Sequence, residues 1–166
     1  MIEKADINDL NEVINIMEDI KQEMRDEHNP QWGSTEDNYP SDNKLKEDIT
    51  KDSMYKYVED DVIKGVVTIM EDDGEYDEVI ENSKKKSYII HRLAVPKQYR
   101  KQGIATKLME FAEEMAKNNS IEVLKSDTEV CNDKTNKLFI KFGYEFKGIF
   151  IYDDYPGKYN YYEKEI

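Results

Sequence analysis

Ser87 to Asn118 read SYIIHRLAVPKQYRKQGIATKLMEFAEEMAKN, and the architecture of the whole chain turns on how these residues divide. They open on an apolar, β-branched run, Tyr88-Ile89-Ile90 through Leu93-Ala94-Val95, bounded by Pro96, which is the pattern of a buried strand. A helix follows. Ile104, Leu108, Phe111, Ala112 and Met115 recur at helical spacing as one apolar stripe, with Lys107, Glu110, Glu113, Glu114 and Lys117 outside it. Between strand and helix lies Arg100-Lys101-Gln102-Gly103-Ile104-Ala105. Small residues at Gly103 and Ala105 let a ligand approach the backbone, and the first N–H groups of a helix have no intrahelical partner and carry the positive end of its dipole. Arg100 and Lys101 add formal positive charge to a chain that is otherwise acidic, so the junction reads as an anion cradle suited to phosphate. An ordinary strand–helix turn with a surface RKQG explains the hexapeptide alone equally well.

The surroundings separate these readings. A strand ending Leu93-Ala94-Val95-Pro96, then RKQGIA, then a long amphipathic helix resembles motif A of the GNAT superfamily of N-acetyltransferases, whose pattern is Arg/Gln-x-x-Gly-x-Gly/Ala. Further on, Asn132 and Leu138-Phe139-Ile140-Lys141-Phe142-Gly143-Tyr144 resemble the second signature of that family, an Asn followed by L-Y-x-K-x-G-F. The resemblance runs from Ile63 to Lys147, and the N-terminal part matches only in its order of elements. It implies an α/β fold with a central, mostly antiparallel mixed sheet and helices on both faces. It also implies acetyl-coenzyme A as co-substrate. Backbone groups of Leu93, Ala94 and Val95 would then meet the pantetheine arm and the thioester carbonyl, and Arg100, Lys101, Gln102, Gly103, Ile104, Ala105 and Thr106 would wrap the pyrophosphate. Asn132 would contact the pantetheine arm, with Phe139 in the same cofactor site.

A length of 166 residues suits one domain over residues 1–166. No apolar run approaches the roughly 18 residues of a membrane span, and the N-terminus has no basic region followed by an apolar segment, so a soluble, cytoplasmic protein is expected. A lone Cys131 excludes an internal disulfide framework and, with only His28 and His91 beside it, no metal site is expected. The net charge of −13, from 37 acidic against 24 basic residues, disfavours nucleic acid as a partner and tilts toward amines. A solvated acidic exterior with no message about substrate explains the charge as well.

The rest of the chain frames the central unit. Ile2 to Ala5 read as a first strand, and Asp6 or Asn8 as the cap of a helix carrying Leu10, Val13, Ile14, Met17, Ile20 and Met24, ending near Arg25. His28 to Ser41 are punctuated as a loop that holds the single Trp32, either lining a pocket or plugging the loop onto the core. Ser41 or Asp42 caps a second helix through Leu45 and Ile49, after which Met54–Glu59 and Ile63–Glu71 pair around Asp60-Asp61. Tyr76 to Lys86 form a charged excursion in which Tyr76, Val79 and Ile80 support one helical turn. Ile121–Thr128 is the next strand, Lys134–Lys141 a helix ended by Gly143, and Tyr144–Ile151 and Tyr159–Glu165 a final antiparallel pair. The exposed edge of that pair leaves a homodimer open.

Acetyl transfer to an amine needs a base: with an ammonium pKa of about 10.4, only about one amine in 2,500 is neutral near pH 7, a deficit of about 4.6 kcal/mol. His91 is the candidate, because an unperturbed imidazole titrates near neutrality and unbroken strand alternation puts His91 on the face of Leu93 and Val95. Some arylalkylamine-type members of the family carry His in this strand; a partly buried His bonded to backbone is the competing explanation. Glu71 and Glu129 are alternative carboxylates for a water relay. The family often has Tyr, as the acid that protonates the departing thiolate, where this chain has Phe139, which has no proton to give. Tyr144 is a candidate catalytic replacement, though its position in the signature reads as core; Tyr152, Tyr155, Tyr159, Tyr161 and Tyr162 crowd the last hairpin, and departure as thiolate or protonation through water is equally open. No Cys/His pattern surrounds Cys131, which argues against a nucleophile there. The acceptor is expected at Gln31, Trp32 and Tyr39, at the Tyr76–Lys86 excursion and at Tyr152 to Tyr159. The expected partner is a small-molecule amine, cationic or aromatic. A protein N-terminus or lysine is the alternative acceptor, and an acyl-coenzyme-A-binding module without turnover is the alternative of another class.

Overall fold

Asp6 fixes the start of the first helical layer. Its carboxylate accepts the N–H of Asn8 at 2.7 Å while the carboxylate of Asp9 accepts the N–H of Asp6 at 2.7 Å, a reciprocal cap. A 3-10 turn, Ile7–Asp9, leads from it into α1, Leu10–Asp26, which buries Val13, Ile16, Met17 and Ile20. The computed structural model describes residues 1–33, 38–74, 76, 85–153 and 156–166. The Trp32 segment, which reads as a loop, contains a short helix, α2, Pro30–Gly33. Asn29 accepts the N–H of Gln31 at 3.0 Å and Pro30 suits the first helical position. Ser41 caps α3, Asp42–Thr50, by accepting the N–H of Lys44.

Among the described residues seven strands form one sheet: β1 (Ile2–Lys4), β2 (Met54–Glu59), β3 (Val62–Glu71), β4 (Ser87–Ala94), β5 (Val123–Glu129), β6 (Glu145–Phe150) and β7 (Tyr159–Glu165), in the order β1-β2-β3-β4-β5-β7-β6. Every neighbouring pair is antiparallel except β4 and β5. Helix α4, Ile104–Asn118, and helix α5, Asp133–Lys141, follow β4 and β5. The sheet is covered on both faces. Ile104, Leu108, Met109 and Ala112 of α4 pack with Val67, Ile69, Tyr88, Ile90 and Phe139 on one side. Val13, Met17, Trp32, Leu45 and Ile49 pack with Val66 and Ala94 on the other. Strand β6 is an outer edge, with Phe146 and Ile149 exposed. Among the described residues no helix is long and apolar enough to cross a membrane.

Two irregularities in β4 place the site. The first is a bulge. The register with β3 pairs Thr68 with His91 but Val66 with Ala94, so β4 spends one residue more than β3 over this span, and Arg92 takes a left-handed φ of 50°. Tyr88 and Ile90 face the α4 cluster before the bulge, and Leu93 and Val95 face it afterwards. His91 therefore does not share the face of Leu93 and Val95, which corrects the expectation from simple alternation. The second irregularity is a splay. Strands β4 and β5 pair only at Ser87–Val123, Tyr88–Leu124 and Ile89–Lys125, and beyond that the Ser126 hydroxyl donates to the Ile90 carbonyl at 2.8 Å.

The closed end of this ladder is pinned by charge. The Lys125 ammonium, 2% exposed, donates to Asp72 at 2.5 Å, and the Ser87 hydroxyl donates to the same carboxylate at 2.8 Å. Burial acts to raise the Asp72 carboxyl, but Lys125, the Gly74 N–H and Ser87 outweigh it and hold it below its ordinary value. Tyr76 is buried against Ile89 and Tyr161. The helical turn expected at Val79 and Ile80 lies outside the described residues, as does Tyr155.

Candidate active site

The residues expected to form an anion cradle lie at the junction of β4 and α4. Gly103 stands at the N-cap of α4 with φ of 78°, and no side chain caps the first turn. A Cβ added at Gly103 would meet no heavy atom within 4 Å, so the space in front of the first N–H groups is open. Lys101 and Gln102 are exposed beside it, while the side chain of Ile104 is 3% exposed and belongs to the core, leaving only its backbone for a ligand. Ala105 and Thr106 are half-buried.

Arg100 differs from its expected role as an added positive charge. Its guanidinium grips both oxygens of Glu23 on α1, at 2.5 and 2.7 Å, and donates through Nε to the Val95 carbonyl at 2.8 Å. Lys134, in the first turn of α5, donates to Glu23 at 3.1 Å and to Glu27 at 2.7 Å. The Arg100 guanidinium, ahead of the opposing effect of burial and with Lys134 adding to it, holds the Glu23 carboxyl down at about 2. Unfolded, this group titrates at about 4.3, so its stabilising contribution is complete above that pH and is lost as pH falls through 2. Glu23→Gln is expected to remove about 1–2 kcal/mol of that acid-sensitive stability, discounted for solvent screening, as read from urea unfolding curves at successive acid pH values.

A groove of about 830 Å³ runs from this cradle between α1, β4 and α5, and its walls include Glu23, Leu93, Ala94, Val95, Ala105 and Lys134. A second cavity, of about 740 Å³, opens where β4 and β5 part. The two share Met24, Trp32, Leu93, Asn132 and Thr135, so they are compartments of one cleft. Trp32 is 7% exposed, packed on the α1 core and on the wall of both compartments, so it plugs the segment and lines the site at once.

Asn132 joins the two. Its carboxamide oxygen accepts the Thr135 N–H at 3.4 Å as the cap of α5, and its amide donates to Gln31 at 3.1 Å. Gln31 Oε1 also accepts from the Thr128 hydroxyl at 3.0 Å and the Glu129 N–H at 3.3 Å, which ties α2 to β5. The second cavity carries His91, Arg92, Asp127, Tyr39, Tyr152 and Tyr159 as its titratable wall groups. Arg92 forms an ion pair with Asp48 of α3, each side chain 2% exposed, and donates to the Tyr39 hydroxyl at 2.7 Å. The Tyr152 hydroxyl donates to Asp127.

Other expected groups are placed elsewhere. Phe139, 2% exposed, reaches the cavity wall with its ring between those of Tyr144 and Tyr162. Tyr144, a candidate proton donor from the sequence, is core: it is 4% exposed, its hydroxyl has no hydrogen-bond partner among the described residues, and burial pushes its phenol far up. It is on the wall of neither compartment. Glu71 and Glu129 are also off the walls, and the Glu129 carboxylate accepts the N–H groups of Cys131 and Lys158. Burial and the Glu129 carboxylate push the Cys131 thiol up to about 11, which leaves it a poor nucleophile. Sequence reasoning missed Arg92, Asp127 and Glu23. The partners of Arg100 and Lys134 on α1 lie 77 and 111 residues away, and no local pattern marks them.

This arrangement has counterparts. The match to a relative, the Uncharacterized N-acetyltransferase YesJ of Bacillus subtilis (strain 168), is 26% identical over 120 residues and takes in 71% of this chain but 64% of that protein, under two thirds of its length. The fold is similar to a GNAT-family acetyltransferase from Streptococcus agalactiae 2603, with a TM-score of 0.86 and 22% identity over 100% of this chain and 95% of the other. It is also similar to PaiA N-acetyltransferase from Thermoplasma acidophilum, solved in complex with coenzyme A, with a TM-score of 0.72 and 19% identity over 100% of this chain and 98% of the other. The pattern of one family matches residues 17–144, taking in the Gly103 cradle, the Asn132 cap and Phe139 together, and by that match the chain belongs to the Acetyltransferase (GNAT) family.

Proposed function

We propose that this chain transfers an acetyl group from acetyl-coenzyme A to the primary amine of a small cationic or aromatic acceptor. The observation that carries the reading is the continuity of the cleft: a groove that begins at an uncapped helix N-terminus meets, at Leu93 and Asn132, a cavity walled by titratable side chains. The donor supplies an acetyl thioester; as the acceptor nitrogen forms the C–N bond, the C–S bond breaks with its electron pair on sulfur. Open space at Gly103 suits the pyrophosphate, and the strand end at Leu93 to Val95 offers peptide groups to the arm. The CoA-bound PaiA structure, similar in fold, supports that choice of donor.

On the chain's side the work is proton management. His91, on the cavity wall, takes the proton that the nitrogen sheds as it attacks. Phe139 offers no proton to the departing sulfur, whose pKa of about 8.5, taken from a free thiol, makes a thiolate tolerable as it leaves. His91→Ala is expected to lower kcat/KM at about pH 7.5 by about 100-fold. A value within about threefold of wild type removes His91 as the base.

Thiol release from acetyl-coenzyme A, measured across polyamines, aminoglycosides, aromatic amines, amino acids and peptides with free N-termini, tests the reading. Turnover with a small amine supports it. Turnover with peptides alone moves the acceptor to a protein N-terminus or lysine, and donor binding without turnover on any acceptor makes the chain a binding module.

A further inference from the structure

Gln31 gathers its bonds to β5 and α5 on one atom. Its Oε1 accepts the Thr128 hydroxyl at 3.0 Å, the Asn132 amide at 3.1 Å and the Glu129 N–H at 3.3 Å. These donors decide which end of the carboxamide faces β5. The Glu129 N–H is backbone and can only donate, and the Asn132 amide is turned by its own oxygen, which accepts the Thr135 N–H as the cap of α5. With the ends of Gln31 exchanged, N–H groups would face N–H groups.

The opposite end of the same carboxamide is therefore Nε2, with both of its hydrogens. It donates to no described residue, and it is not sealed from solvent. Gln31 is half-buried and lines the cavity where β4 and β5 part, but not the groove that runs from Gly103. A donor fixed in place by three bonds at its other end thus stands on the acceptor side of the cleft. A cation cannot use it, because an ammonium has no lone pair, and the neutral nitrogen that reacts must keep its lone pair for the acetyl carbon. An oxygen elsewhere on the acceptor can.

We propose that Gln31 Nε2 donates to an oxygen of the acceptor, so that the substrate class is an amine that also carries a hydroxyl or carbonyl oxygen rather than a plain alkylamine. The inference deepens the acetyl-transfer reading and rests on it for the chemistry, but not for the binding. Discrimination comes from both members of the contact. An alkyl chain placed against Nε2 removes water from an amide and gives it no partner, whereas a hydroxyl or carbonyl restores the bond.

The test uses pairs of amines of matched shape on the full chain and on Gln31→Glu. Aminoethanol is set against propylamine, aminopropanol against butylamine, aminobutanol against pentylamine, and glycinamide against isobutylamine. Gln31→Glu keeps an oxygen toward Thr128, Glu129 and Asn132 and replaces Nε2 with a second oxygen, which has no hydrogen to give once ionised. In thiol-release assays at about pH 8, the preference in kcat/KM for the oxygen-bearing member of at least one pair should fall by at least about fivefold in Gln31→Glu, the effect of one neutral hydrogen bond. The basicity of each amine is the same for both proteins and cancels in that comparison. The loss should appear in the acceptor KM, with the KM for acetyl-coenzyme A unchanged, and the pairs affected tell a hydroxyl from a carbonyl. An equal fall for both members of every pair, or a change confined to the KM for acetyl-coenzyme A, makes Gln31 only a support for Asn132 and overturns the proposal, as does a preference that survives the substitution. Binding is read separately from the fluorescence of Trp32, the one tryptophan of the chain and part of the cavity wall, titrated with each amine in the presence of coenzyme A. Tighter binding of the oxygen-bearing amine that is lost in Gln31→Glu, without turnover, upholds the site and sinks the acetyl-transfer reading. Equal binding of both members of every pair by the wild type overturns the site itself, whatever the variant does.

Discussion

Arg92→Met is expected to lower the free energy of unfolding by about 3–5 kcal/mol, the cost of breaking a buried ion pair from one side. The guanidinium is the principal partner of Asp48, whose side chain is 2% exposed, with the Thr68 hydroxyl at 3.1 Å as a neutral second. Lys44 makes a longer ion pair with the other Asp48 oxygen at 3.9 Å, beyond hydrogen-bond distance, so it offsets only part of the loss. Removing Arg92 therefore leaves a buried carboxylate without its close cation and also takes one donor from the Tyr39 hydroxyl. Urea unfolding measures the loss. The paired variant, Arg92→Met with Asp48→Leu, should recover most of it, because apolar groups of similar size can replace a buried ion pair at little net cost. A single variant within about 1 kcal/mol of wild type would show that the pair contributes nothing beyond packing.

The second large effect is on the donor. Gly103→Val should weaken coenzyme A binding by at least about 100-fold, or about 2.7 kcal/mol, while leaving the fold in place. Two causes act together. Valine in a backbone with φ of 78° is strained by about 1–3 kcal/mol, which distorts the first turn of α4. Its side chain also enters the open space in front of the N–H groups that the pyrophosphate would use. Gly143 provides the control, since it too has φ of 78° and nothing within 4 Å of an added Cβ, but it ends α5 away from the cradle. Gly143→Val should show a similar loss of melting temperature with coenzyme A affinity retained. Equal loss of affinity in both variants would mean that strain alone is at work and that the cradle is not a phosphate site.

The unit from β4 through the cradle to α4 was legible because its determinants are local. A β-branched run stopped by Pro96, a glycine at a left-handed turn and a single apolar stripe need no distant partner to be read. The caps at Asp6 and Ser41 were readable for the same reason, each bonding a residue two or three positions on. What was not legible depends on distant contacts or on an irregular backbone. Arg92 looks like a strand polar residue until the bulge turns it toward Asp48 and Tyr39, the latter 53 residues away. The same bulge moved His91 off the face that alternation assigns it, because one extra residue reverses every side chain beyond it. Trp32 is half legible: its segment has loop punctuation, but Asn29 and Pro30 fold it into a helical turn that seals the cleft.

Glu23 gives the donor groove an internal counter-ion. Its carboxylate already occupies the Arg100 fork and shares Lys134 with Glu27, so an arriving phosphate would find these two cations already neutralised. Entry of the proposed donor would then be an exchange of one anion for another, in which the protein gives up a bond for each one it forms with those side chains. Little mobile salt is released to solvent in such an exchange, so affinity should vary only shallowly with ionic strength, and selectivity for the donor falls to the backbone N–H groups at Gly103.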